Sequence, residues 1–90
     1  ILFSGRNPLL STITNRNGFT KNVITGITVT NWNTYQIIFN TTSVIFYVNG
    51  SLQFTHTTNL PNAGKIWFGF GASAGTQSFQ TSDFIVSQQL

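Results

Sequence analysis

The chain is 90 residues long and carries four Lys/Arg, one Asp and no Glu, for a net charge of +3. Only 6% of its residues are charged, against about 25% in an ordinary soluble domain. With no Cys and a single His, a disulfide framework and a zinc site are both excluded, and four scattered cations are not the clustered Lys/Arg that nucleic acid requires.

What replaces charge is fourteen Thr, ten Asn, eight Ser and six Gln. Together with β-branched and aromatic residues, this composition favours sheets and turns over helices. No apolar stripe at helical spacing occurs, and no apolar run approaches the ~18 residues of a bilayer span. A single small domain over residues 1–90 is expected.

In chain order, Ile1-Leu2-Phe3 is too short for the core of a signal peptide. The first residue is Ile, which suggests a processed product or a piece of a longer protein. Gly5 to Asn17 is polar and broken by Pro8, with Leu9, Leu10 and Ile13 as anchors. Asn17-Gly18 is a turn dipeptide between runs at 9–14 and 19–20. Val23 to Thr30 alternates, placing Val23, Thr25, Ile27 and Val29 on one face of a predicted strand. Asn31-Trp32-Asn33 leads into a strand over 34–39 with Tyr35, Ile37 and Phe39 on one side.

Asn40 to Ser43 then connects to the clearest signal in the chain, Val44-Ile45-Phe46-Tyr47-Val48-Asn49-Gly50-Ser51-Leu52-Gln53-Phe54-Thr55-His56. Asn49-Gly50 between two β-prone runs predicts a hairpin with a type I′ turn, since both central residues need positive φ. Counting outward from that turn pairs Val48 with Ser51, Tyr47 with Leu52, Phe46 with Gln53, Ile45 with Phe54 and Val44 with Thr55. Ile45, Tyr47, Leu52 and Phe54 would then form a core face, leaving Phe46 on a mixed, solvent-accessible one. Beyond a loop at 59–64, strands are expected at 65–70 and around 79–86. Six or seven short strands separated by turn residues read as an all-β sandwich or barrel.

Catalysis finds little support in this inventory. Glycoside hydrolysis takes two carboxylates, and Asp83 is the single acidic residue. No Gly-x-Ser-x-Gly elbow is present either. His56 reads as a polar residue at a hairpin end, and Asp83 as a backbone hydrogen-bonder at the start of the last strand. Metal-independent sugar binding asks instead for an exposed ring to stack on a pyranose and for amides to meet its hydroxyls. Trp67 is the first candidate ring and Phe46 the second, with Gln53 and Gln36 among the candidate amides. Two glycosylation sequons occur, at Asn40 and at Asn49, the latter also accounted for by its turn with Gly50. Nine Phe and two Trp are more apolar surface than one small sandwich hides easily, and open strand edges invite pairing.

Trp32, Tyr35-Gln36-Ile37, the Val44–Gly50 run, His56-Thr57-Thr58-Asn59-Leu60-Pro61 and Asp83-Phe84-Ile85-Val86 follow one another in an order that resembles a known family. The stretch over about residues 30–87 resembles the C-terminal half of a concanavalin A-like lectin/glucanase (laminin-G-like) domain. The resemblance implies an antiparallel jelly-roll β-sandwich with Trp32 buried. Complete domains of this kind are longer, so part of the strand set would come from elsewhere or from another chain. The carboxylates of the family's glucanases and the Asp-rich calcium loop of its lectins are missing here, which implies neither enzyme activity nor a metal or other cofactor. The expectation is therefore a non-enzymatic structural or adhesion subunit of an extracellular, cell-surface or virion assembly. Its partners would be further copies or other subunits of a particle or filament. The alternative is a metal-independent, lectin-like carbohydrate-binding module.

Overall fold

The computed structural model describes residues 1–6, 9–16, 18–60 and 85. Within them the chain is all-β, with six strands: β1 (Leu2–Arg6), β2 (Leu9–Asn15), β3 (Phe19–Ile24), β4 (Tyr35–Phe39), β5 (Val44–Val48) and β6 (Ser51–His56). They form two antiparallel three-stranded sheets, β1-β2-β3 and β4-β5-β6, in which every neighbour in space is a neighbour in sequence. No helix among the described residues is long and apolar enough to cross a membrane.

The first sheet differs from the sequence expectation at both ends. β1 forms where none was anticipated, pairing Phe3 with Thr12 and Gly5 with Leu10. The alternation predicted over 23–30 continues β3 only as far as Ile24. Gly26, at φ 81°, turns the chain there, a conformation costly for residues with a Cβ. Ile27 and Val29 instead pack from the following loop against the core of Leu10, Ile24 and Val48, while Val23 is exposed. β2 and β3 do pair across the turn around Gly18, from Asn15↔Phe19 to Leu10↔Ile24.

The second sheet contains the predicted hairpin with one correction of consequence. Asn49 and Gly50 both have positive φ, 52° and 80°, as the type I′ turn demands. Val48↔Ser51 and Tyr47↔Leu52 pair as counted from the turn, but the next pairs are Phe46↔Phe54, Ile45↔Thr55 and Val44↔His56. Gln53 is the extra residue of a β-bulge. Because side chains alternate along a strand, one inserted residue exchanges the faces of everything beyond it. Phe54 and His56 thereby join Val44, Phe46 and Val48 on the inner face, and these three β5 side chains are fully buried. The predicted core face is thus the outer one, where Leu52 is 56% exposed. Tyr35, Ile37 and Phe39 share the inner side as expected, opposite Val48, Phe46 and Val44.

The two inner faces meet each other. Leu10 and Ile24 of the first sheet cluster with Val48 and Phe54 of the second. The Phe3 ring stands edge-on to Phe46, with centroids 5.2 Å apart and planes at 84°, and lies 5.1 Å from Tyr35. Such aromatic pairs add about 0.5–1.5 kcal/mol each beyond the area they bury. The strand expected at 65–70 lies outside the described residues. So does the one around 79–86 except for Ile85, which is exposed and in no strand.

Candidate functional site

The most organised polar constellation joins the end of β6 to the middle of the first sheet. β2 reads Ser11-Thr12-Ile13-Thr14, so period-two alternation puts Thr12 and Thr14 on one face, toward the second sheet. Both are completely buried. The bulge at Gln53 aims His56 at them, and the imidazole fits between the two hydroxyls. Thr12 Oγ1 lies 3.0 Å from Nε2, and Thr14 Oγ1 lies 3.0 Å from Nδ1. Phe46 covers the ring, with centroids 4.9 Å apart. His56 itself is only 2% exposed.

Counting protons assigns the tautomer. Thr14 Oγ1 donates its one hydrogen to the Thr58 carbonyl, at 3.1 Å, and can only accept from His56. Nδ1 therefore carries the proton and Nε2 accepts from the Thr12 hydroxyl, leaving a neutral imidazole with both nitrogens satisfied. Desolvation by burial pushes its pKa below the ordinary histidine value, which favours the same neutral form.

The chain beyond His56 continues the fastening. Thr20 of β3 hydrogen-bonds the Thr58 hydroxyl at 2.6 Å and donates to the Thr58 carbonyl at 3.3 Å. Asn59 donates its amide to Thr20 Oγ1 at 3.0 Å, from a left-handed backbone at φ 54° that Asn tolerates. The segment His56-Thr57-Thr58-Asn59 is thus a strap that ties the second sheet to β2 and β3. Its role went unread in the sequence, where the usable signal was the lone His together with Thr at alternate positions of β2.

A second polar hub lies at the opposite end of the β5–β6 hairpin. Asn49 Oδ1 accepts from the Thr34 backbone at 2.8 Å, and its Nδ2 donates to Asn33 Oδ1 at 3.0 Å. Asn33 Nδ2 in turn reaches the carbonyls of Thr28 and Asn31, at 3.0 and 3.1 Å. One turn residue thereby fixes the 25–34 loop. Trp32 on that loop is 67% exposed, so the buried position implied by the family resemblance is corrected. Ile27 and Val29 are the residues of this loop that pack against the core.

The candidate sugar-binding set does not converge. Phe46 has 0% exposure and offers no face to a ligand, because the bulge turns its side of the hairpin inward. Gln36 is exposed on the outer side, opposite Tyr47. Gln53 sits in the bulge and donates to the Ser51 carbonyl at 3.2 Å. Trp67 lies outside the described residues, as does Asp83. Of the two sequon residues, Asn40 is exposed, and its Oδ1 accepts from the backbone N–H of Thr42 and of Ser43, both at 2.9 Å. The Thr42 and Ser43 hydroxyls add bonds to the same oxygen at 2.8 and 3.4 Å, closing an Asx turn. Asn49 Nδ2 is engaged by Asn33.

Among the described residues no three His, Cys, Asp or Glu side chains come together. With its one imidazole sealed between hydroxyls and an aromatic ring, the His56 constellation is built to hold rather than to react. Fold and site define an all-β module of two sheets fastened by a buried histidine. No family model, curated protein or solved structure is significantly similar to this chain.

Proposed function

We propose that the chain is a non-enzymatic structural or adhesion module of an extracellular or virion-surface assembly, associating through the outer face of β4-β5-β6. The observation that carries this reading is the makeup of that face. Ile38, Ile45 and Tyr47 are half-buried and Leu52 is exposed, in adjacent register positions. The three strands hold no Lys, Arg, Asp or Glu at all. Arg6, Arg16 and Lys21 belong to the first sheet and its turn. An apolar strip without charges lacks the usual defence against pairing with a neighbour. The finer reading, a concanavalin A-like jelly roll, rests on the sequence resemblance over about 30–87.

Sedimentation of the chain over a concentration series tests the proposal. Self-association that Leu52→Lys abolishes, with the unfolding midpoint unchanged, is the expected result. A wild-type chain that stays monomeric and binds no other subunit of its native particle overturns it. A second reading, metal-independent carbohydrate binding, draws support from the exposed Trp32 indole beside Asn31 and Asn33. Glycan-array binding that survives chelation and vanishes in Trp32→Ala is its signature.

A further inference from the structure

We propose that His56 is an acid-release fastener: protonation of its ring loosens the second sheet from the first. The inference is independent of the assembly reading and rests on where the imidazole sits. It lies at the junction of the sheets, held at both nitrogens by hydroxyls of β2, and its strap residue Thr58 is gripped by Thr14 and Thr20.

The proton balance makes the arrangement one-sided. In the neutral state Thr12 donates to Nε2. A proton taken from solvent onto Nε2 turns that nitrogen into a donor, so Thr12 Oγ1 must become the acceptor. Its own hydroxyl hydrogen then points away from its one partner among the described residues, at a site with no solvent exposure. Nδ1 keeps its bond to Thr14, whose hydrogen is already committed to Thr58. Protonation therefore reverses the bond to Thr12, strands the Thr12 hydroxyl hydrogen at a buried site and leaves a cation packed against Phe46.

No described neighbour offsets the charge. From β2 the ring meets Thr12 and Thr14, and from β5 it meets Phe46, none of them ionisable. On β3, Lys21 pairs with Ile13, on the other side of the sheet from Thr12 and Thr14. Arg6 of β1 is in register with Leu9, at the far end of β2, and Arg16 is exposed beyond the end of β2. Tyr47 of β5 faces outward with Leu52. No carboxylate stands beside the ring among these groups, and a buried cation without one is expelled by opening.

Denaturant unfolding of the whole chain between pH 7.5 and 5, for wild type and His56→Gln, tests the proposal. The wild-type opening constant is expected to rise up to tenfold per pH unit below about 6.5, and the variant is expected to be flat. A flat wild-type profile overturns it, and so do equal slopes in both chains, which place the proton on a group other than His56. Should His56→Gln not fold, the NMR titration of the His56 ring in the wild type decides. A midpoint below that of free histidine, with Thr12 and Thr14 resonances moving in step, supports the proposal. A midpoint at or above the free value overturns it.

Discussion

At the scale of single residues, stability concentrates where polar groups are buried and fully paired. Thr12→Val removes the donor to Nε2 and strands that nitrogen at a buried site, for an expected loss of about 1–3 kcal/mol. Urea unfolding at pH 7.5 measures it. Adding His56→Leu to Thr12→Val and Thr14→Val replaces the whole polar set by apolar groups. The triple variant should lose less than the three single losses combined, since no orphaned group remains. The sequence displays His56 plainly, yet its environment is set by two hydroxyls more than forty positions away. Nothing local announces that contact. The burial of Phe46 is hidden for a related reason: the company it keeps follows from a register that shifts by one residue between it and Tyr47.

At the scale of elements, turn chemistry was the most readable property, because the backbone angles it needs are restricted to few residue types. Asn49-Gly50 was placed correctly for that reason. Gly50→Ala, forced into a left-handed conformation at φ 80°, should cost about 1–2 kcal/mol without altering the fold, as thermal unfolding and a superimposable spectrum would show. The bulge was illegible, since Gln53 carries no side-chain signature that separates it from an ordinary strand residue. Its importance is testable by removal. Deleting Gln53 removes the extra residue and lets β6 pair without interruption, with Phe54 still opposite Phe46 and His56 still opposite Val44 on the inner face, so the variant should keep cooperative unfolding and a dispersed amide spectrum. A deletion variant that loses cooperative unfolding, as an uninterrupted wild-type register would require, would contradict the geometry of β6. The end of β3 is illegible in the sequence because alternation alone cannot tell a strand from a loop whose Ile27 and Val29 pack against the core.

At the scale of the whole molecule, the all-β class is legible from composition, and the assignment of strands to each of the two sheets is not. Alternating strands announce that a sheet has two faces, and leave open which strands share it. With few charges and no ion pair among the described residues, ionic strength should matter little to folding. Raising salt from low to molar concentration is expected to leave the unfolding midpoint in place or raise it slightly by salting out, and a marked drop would reveal an electrostatic contribution that the described strands lack. The acid side is different, because the unfolded chain takes up a proton on histidine more readily than the folded one. Stability from His56 is therefore complete above about pH 6.5 and declines as the pH falls below it.

The order of pairing, in which each described strand bonds to its neighbours in sequence among the described residues, has a kinetic corollary. Each half can zip from its own turn with short loop closures, so hairpin formation should be quick and the docking of the halves late. Thr20→Val and Thr14→Val, which weaken only the docking, should accelerate unfolding while leaving the refolding limb of a chevron nearly untouched. Refolding slowed in proportion to the lost stability would mean instead that the strap forms early and organises both halves.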